Sequence, residues 1–150
     1  MKVSIASDHA GFKAKRIVLE ILKDLRVHVD DFGTHSEDSV DYPEYAVKVA
    51  QRIDKGDADL GVLICGSGQG VCMTANKYIG VRAALVHDAK TAALTKQHNN
   101  SNILCLPGRS LEDKPEVLKN ILISWLETPF EGGRHERRVQ KISSLFSSHP

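Results

Sequence analysis

The sequence predicts an α/β fold, a three-layer α/β/α arrangement with a five-stranded parallel sheet at its centre. Short apolar runs at 3–7, 27–32, 61–65, 80–86 and 103–106 alternate with segments of helical period. That alternation is the pattern of a parallel sheet covered by helices on both faces. The run Gly61 to Cys65 is apolar without a break, as a strand buried on both sides must be.

Val3 to Ser7 forms the first strand and ends in Asp8-His9. From Gly11 to Leu25 the residues Phe12, Ile17, Val18, Ile21, Leu22 and Leu25 make one helical stripe. Val27 to Phe32 is the second strand. Pro43 suits the first turn of the next helix, where its missing N–H costs nothing, and Gly56 stops it. The third strand reaches Cys65 and opens into Gly66-Ser67-Gly68-Gln69-Gly70, with a helix expected through Val71, Met73, Ala75 and Tyr78. Gly80 to Val86 is the fourth strand, closed by His87 and by Asp88, a natural N-cap. Its helix runs out in the polar stretch Gln97 to Asn102. Ile103 to Leu106 is the fifth strand, ending in Pro107-Gly108-Arg109. Asp113 and Glu116 have the spacing of a capping box before an amphipathic helix through Trp125 and Leu126. A last helix, Arg134 to about Phe146, carries few apolar residues. We expect it to pack on a second subunit.

The 150 residues suit one domain, 1–150, with a substantial core. A net charge of +1 argues against electrostatic binding to nucleic acid or membrane. The apolar start, Met1 to Ala6, is too short for a signal peptide or a membrane span. Three cysteines at irregular spacing are no disulfide framework, and a cytoplasmic setting is expected.

Ligands of parallel α/β sheets bind beyond the carboxyl ends of the strands. The alternation gathers Asp8-His9, Cys65-Gly66-Ser67, His87-Asp88 and Arg109 along that edge. Three phosphate-loop readings of the glycine turn fail at one residue. The lysine-bearing phosphate loop needs Gly and Lys where Val71 and Cys72 stand, the dinucleotide pattern needs Gly at Val71, and a cysteine phosphatase needs Arg there. Cys65 reads either as a small buried apolar residue or as a thiol activated by the following helix terminus. Asp8-His9 reads as a solvated turn or a site, and His98-Asn99 as a helix end or a site. Cys72 and Cys105 are expected in the core, and His28, His35 and His149 on the surface. No His/Cys/Asp set has zinc-like spacing, so no metal is expected. Arg134 and Arg138 share a helix face and, with Arg109, suit a phosphate.

Several segments, in order and spacing, resemble one family across nearly the whole chain. They are Ser7-Asp8-His9-Ala10-Gly11-Phe12, Asp41-Tyr42-Pro43, Cys65-Gly66-Ser67-Gly68-Gln69-Gly70, Ala75-Asn76-Lys77, Gln97-His98-Asn99 and Glu131-Gly132-Gly133-Arg134-His135. The family is ribose-5-phosphate isomerase of type B, with its hexose-phosphate isomerase relatives. The resemblance implies a Rossmann-like fold, a homodimer or dimer of dimers with shared active sites, and no cofactor or metal. It implies Cys65 as the base and Ser67 as a hydroxyl assisting proton movement at the substrate oxygens. Asp8 and His98 would open the sugar ring. The turn Gly66, Gly68, Gly70 would hold the enediolate, and Tyr42 and Asn99 would contact the sugar. His9, Arg109, Arg134 and Arg138 would hold the phosphate, with His98, Asn99 and the arginines coming from the neighbouring subunit. Some family members use a glutamate just after the glycine turn instead of the cysteine. Val71 stands there, so the chain resembles the cysteine-using branch. Alternatives are an allose- or galactose-6-phosphate isomerase and, further off, a non-catalytic phosphometabolite or nucleotide-binding module.

Overall fold

The apolar runs pair as parallel strands β1 (Lys2–Ser7), β2 (His28–Asp31), β3 (Leu60–Cys65), β4 (Ala83–Leu85) and β5 (Ile103–Pro107), in the order β2-β1-β3-β5-β4. The structure is a computed structural model and describes residues 1–147, so His149 lies outside the described residues. Seven α-helices connect and follow the strands among those residues: α1 (Phe12–Asp24), α2 (Tyr42–Asp54), α3 (Gln69–Ala75), α4 (Ala89–Asn99), α5 (Gly108–Leu111), α6 (Pro115–Glu127) and α7 (Arg134–Ser144). A 3-10 turn, His9–Gly11, precedes α1.

Strand alternation sends neighbouring side chains to opposite faces, and each face has its own core. Val3, Ile5, Val62, Ile64, Leu104 and Leu106 meet α1, α4 and α6 through Val18, Leu22, Ala92, Leu118, Ile121 and Trp125. Ala6, Leu63, Cys65, Ile103 and Cys105 meet α2 and α3 through Val49, Ala50, Ile53, Val71 and Ala75. Each of the larger fully buried side chains contributes about 1.5–3 kcal/mol by leaving water.

Several local expectations need correction. Helix α3 ends at Ala75 rather than Tyr78, because the Asn76 side chain turns to β4: its Nδ2 donates to Ala83 O and its Oδ1 accepts from Ala83 N, both at 2.9 Å. Strand β4 is shorter than 80–86 because Asn102 takes its lead-in. The Asn102 side chain accepts from Arg82 N at 2.7 Å and donates to Gly80 O at 2.8 Å. The capping box does not form; Lys114 is the N-cap of α6 and makes no side-chain cap bond. The four-residue α5 was not anticipated. Asp88 caps α4 as expected, accepting from Thr91 N at 2.7 Å.

Helix α7 leaves Ile142 exposed, and beyond it Leu145 and Phe146; Ile79 and Met73 are exposed as well. Ser143 Oγ donates to Ile79 O at 3.0 Å, fixing the end of α7 beside the segment that leads into β4.

Candidate active site

Register sets the site. Ser7 pairs with Ile64 and Cys65 with Pro107, so the carboxyl ends of β1, β3 and β5 lie side by side. The chain runs outward from β1 and β3 on opposite sides of the sheet order, and between strands that diverge in this way a crevice opens. Asp8, Cys65 and Arg109 follow from these three strand ends.

Asp8 is buried, and its Oδ1 accepts from Gly11 N at 2.9 Å, capping the 3-10 turn. Its own N–H donates to Ile64 O at 3.2 Å, tying it to β3. His9 Nδ1 lies 3.2 Å from both N and O of Val40, which leaves Nε2 for a ligand. Asp8, His9, Val40 and Tyr42 line one cleft of about 560 Å³.

Cys65 is only 4% exposed and points to the α2–α3 face. Cys105 is buried as expected, and burial pushes its thiol well above the ordinary range. Cys72 is half-buried; its Sγ donates to Ala83 O at 3.4 Å. Gly68 has φ +74°, a backbone state open to glycine at little cost, and it caps α3. The first intrahelical bond of α3 is Cys72 N to Gly68 O, so the N–H groups of Gly68 to Val71 have no helical acceptor. Ser67 is exposed, and its Oγ accepts from Gln69 N at 3.4 Å. Leu85 and the backbone of Leu106 close behind Gly68, and the Tyr42 ring closes over Gly70: a β-carbon there would stand 2.6 Å from Tyr42 Cζ.

Arg109 corrects one expectation. Its guanidinium lies over Gly66 of its own chain, with Cζ 3.3 Å from where a β-carbon on Gly66 would sit. Its N–H donates to Gly66 O at 3.2 Å. Arg109 therefore belongs with Cys65, not with residues brought by a neighbour.

His98, Asn99, Arg134 and Arg138 are not assembled with this group. His98 and Asn99 end α4, just before β5 begins, whereas Cys65 stands beside the last residue of β5. Five residues of strand at about 3.3 Å each separate the two edges by roughly 15 Å. Glu131 N donates to Gln97 O at 3.1 Å, which holds the start of α7, and with it Arg134, at the same far edge. His28 and His35 are exposed, as expected.

Sequence reading missed a grouping at that edge. His98, Glu131 and His135 bring their ligand atoms within 4.8 Å of one another, where linear spacing gave no metal-type set. His135 is buried and stacks flat on His98. Burial, then the charges of His98 and Arg134, push its pKa below the ordinary imidazole value.

A family model described as Ribose/Galactose Isomerase matches residues 3–142. The probable ribose-5-phosphate isomerase B of Mycoplasma genitalium is 49% identical over 142 residues, which are 93% of this chain and 92% of that protein. The solved ribose-5-phosphate isomerase B of Clostridium thermocellum superposes with a TM-score of 0.94 at 40% identity, covering 100% of both chains. The Mycoplasma genitalium ribose-5-phosphate isomerase B, solved with bound ribulose 5-phosphate, gives 0.91 at 45% identity over 99% of this chain and 97% of that one.

Proposed function

The chain belongs to the ribose/galactose isomerase family, and from that premise we propose that it interconverts ribose 5-phosphate and ribulose 5-phosphate as an aldose–ketose isomerase. The observation that carries the reading is the convergence of Asp8, Cys65 and Arg109 at three adjacent strand ends around the glycine turn.

The reaction opens a sugar ring, moves a proton between C2 and C1, and passes through an enediolate. Cys65 takes the C2 proton as thiolate and returns it to C1. Ser67 assists the matching transfer between O2 and O1. The N–H groups of the turn at Gly66, Gly68 and Gly70 face the charge that develops on those oxygens, a preorganised anion cradle. One Asp8 oxygen is committed to Gly11, and the other is left to act on the ring oxygen or hydroxyl. Tyr42, lying against Gly70, contacts the sugar. His9 Nε2 and the Arg109 guanidinium serve the phosphate end.

One chain is an incomplete enzyme on this reading. His98 and Asn99 complete ring opening and sugar contact, and Arg134 and Arg138 complete phosphate binding, from a second copy in a homodimer or dimer of dimers. Two observations support this: these residues lie at the wrong edge to serve their own Cys65, and Met73, Ile79, Ile142, Leu145 and Phe146 are exposed apolar side chains. Large exposed apolar patches mark interaction surfaces. Residues 1–150 act as one isomerase domain, and the cytoplasm is its compartment. No helix among the described residues is long and apolar enough to cross a membrane.

The test is ribulose 5-phosphate formation by wild type and Cys65→Ala. We expect the variant to fold and to lose at least about 100-fold in turnover, the scale of general acid–base catalysis. Equal activity would remove Cys65 from the mechanism. Faster turnover of allose or galactose 6-phosphate than of ribose 5-phosphate would move the substrate to a hexose. Binding of a phosphate ligand with no turnover of any would mark a binding module.

A further inference from the structure

His98 stands in the last turn of α4, and its side chain is 41% exposed. Glu131 Oε2 lies 3.8 Å from its Nε2, too far for a hydrogen bond. The last torsion of a histidine side chain has a broad profile, so contacts set the plane of such a ring. His135 supplies the contact. Its ring lies flat on His98, with centroids 4.5 Å apart and planes 13° from parallel. His135 is itself only 7% exposed, in the first turn of α7, so it offers a fixed wall. Two backbone bonds bring it there: Glu131 N to Gln97 O at 3.1 Å, and His135 N to Gly132 O at 2.9 Å.

His135 Nε2 has no hydrogen-bond partner, because Glu131 Oε2, at 3.3 Å, is out of line. Buried polar atoms are normally paired, so packing rather than this nitrogen holds the ring in place. The charged and titratable groups that face His135 are His98, Glu131, Arg134 and Arg138. Burial, then the charges of His98 and Arg134, keep its pKa below the ordinary imidazole value. His135 is therefore uncharged at neutral pH, and His98 can gain or release a proton against it. Two parallel imidazolium rings so close would repel each other strongly.

We propose that His135 is a positioning residue for the reaction: its buried ring, stacked on His98, fixes the plane of that imidazole for proton transfer during ring opening. The inference rests on the role proposed above for His98. Proton transfer needs heavy atoms within about 2.6–3.2 Å, and a displacement near 1 Å can cost about 100-fold. Arg134 precedes His135 on α7, so the same contact spaces the ring-opening imidazole from the phosphate end.

The experiment compares full-length wild type, His135→Leu, which removes the flat ring, and His135→Phe, which restores one without nitrogen. It reads isomerisation of ribose 5-phosphate together with carbon-13 relaxation of the His98 ring, whose signal is assigned by its absence from His98→Asn. In wild type the ring should be as ordered as rigid backbone, with an order parameter of about 0.85. In His135→Leu the order parameter should fall below about 0.6, and kcat should drop at least about tenfold while KM stays within about twofold. His135→Phe should recover the ring order and bring kcat back to within about threefold of wild type. A mobile His98 ring in wild type would overturn the proposal, and that measurement stands even where His135→Leu fails to fold. Wild-type kcat in His135→Leu, a loss in His135→Phe equal to that in His135→Leu, or a raised KM with unchanged kcat would each overturn it as well. A chain inactive on every sugar phosphate would refute the proposed reaction and leave the relaxation of the His98 ring to judge the contact.

Discussion

The Cα of Gly11 stands 2.8 Å from the point where a β-carbon on Gly108 would sit. Ala10 O and Cys65 O lie at 3.0 and 3.1 Å from the same point, so the loops leaving β1, β3 and β5 pack backbone against backbone. None of these neighbours is a flexible side chain that could swing away. Gly108→Ala should therefore destabilise the fold by about 1–3 kcal/mol, the usual cost of overpacking. Because Asp8, Cys65 and Arg109 ride on these three loops, kcat/KM should fall as well, by up to about 100-fold for a displacement near 1 Å. Urea unfolding and steady-state kinetics check both, and wild-type values in each would show that the loops are not coupled.

Lys15 anchors the same edge from below. It is 1% exposed, and its Nζ donates to Asp31 Oδ1 at 2.6 Å and to Thr34 O at 2.7 Å. Thr34 N in turn donates to Ser7 O at 2.8 Å, one residue before Asp8. Lys15→Met strands the Asp31 carboxylate and should cost about 3 kcal/mol, the low end for breaking a buried pair because Asp31 keeps some water contact. Burial lowers the Lys15 pKa below 10.5. The native chain then gives up this proton at a lower pH than the unfolded chain does. Stability from this group rises with pH between the lowered native value and the unfolded value near 10.4. Urea curves of wild type and Lys15→Met should differ by a constant at neutral pH and by more on the alkaline side.

How much of this was legible in the sequence depended on the range of the interaction. The strands β3 and β5 were readable because burial on both faces demands unbroken apolar runs, and β1 was readable from Val3, Ile5 and Ala6 despite the buried Ser4 between them. Asp88 was readable because a cap is set by its own next few residues. The short β4 and the early end of α3 were not, because each is decided by an amide side chain, Asn102 or Asn76, reaching another segment. A helix of four residues such as α5 shows no period. Asp113 and Glu116 had the capping spacing, but Pro115 opens the helix with Lys114 before it, and no capping bond forms. Strand ends put Asp8, Cys65 and Arg109 on one edge, and the contact of Arg109 with Gly66 places it beside its own chain's Cys65 rather than among residues brought by a neighbour. The meeting of His98 with Glu131 and His135 depends on how α7 returns to α4, which no local pattern records.

Phe146 and Leu145 are 62% and 63% exposed at the end of α7, close to Ile142 and Ile79. A charge there would lose its hydration if a second copy covers the patch. Phe146→Lys should leave the circular dichroism of the monomer unchanged but raise the dimer dissociation constant by at least tenfold, about 1.4 kcal/mol. Sedimentation across a concentration series reads the constant, and activity should fall with the dimer. A wild-type protein that sediments as a monomer at every concentration would remove the interface from the account.

Cys65 and His98 lie on opposite edges of one sheet, and this separation makes a sharp prediction for mixed oligomers. Cys65→Ala and His98→Asn should each be inactive alone. Co-expressed in equal amounts, they should form mixed dimers as about half of the population if, as proposed, a two-fold dimer builds each site from both chains. In a mixed dimer one site combines both lesions and the other neither. Activity should therefore return to about a quarter of wild type, all of it from species carrying one intact site. If each chain instead built its own site, every site would carry a lesion and no mixture would recover. Tagging the two variants differently and assaying the doubly purified dimer distinguishes the cases: about half of wild-type turnover per dimer for a shared site, and none for separate sites.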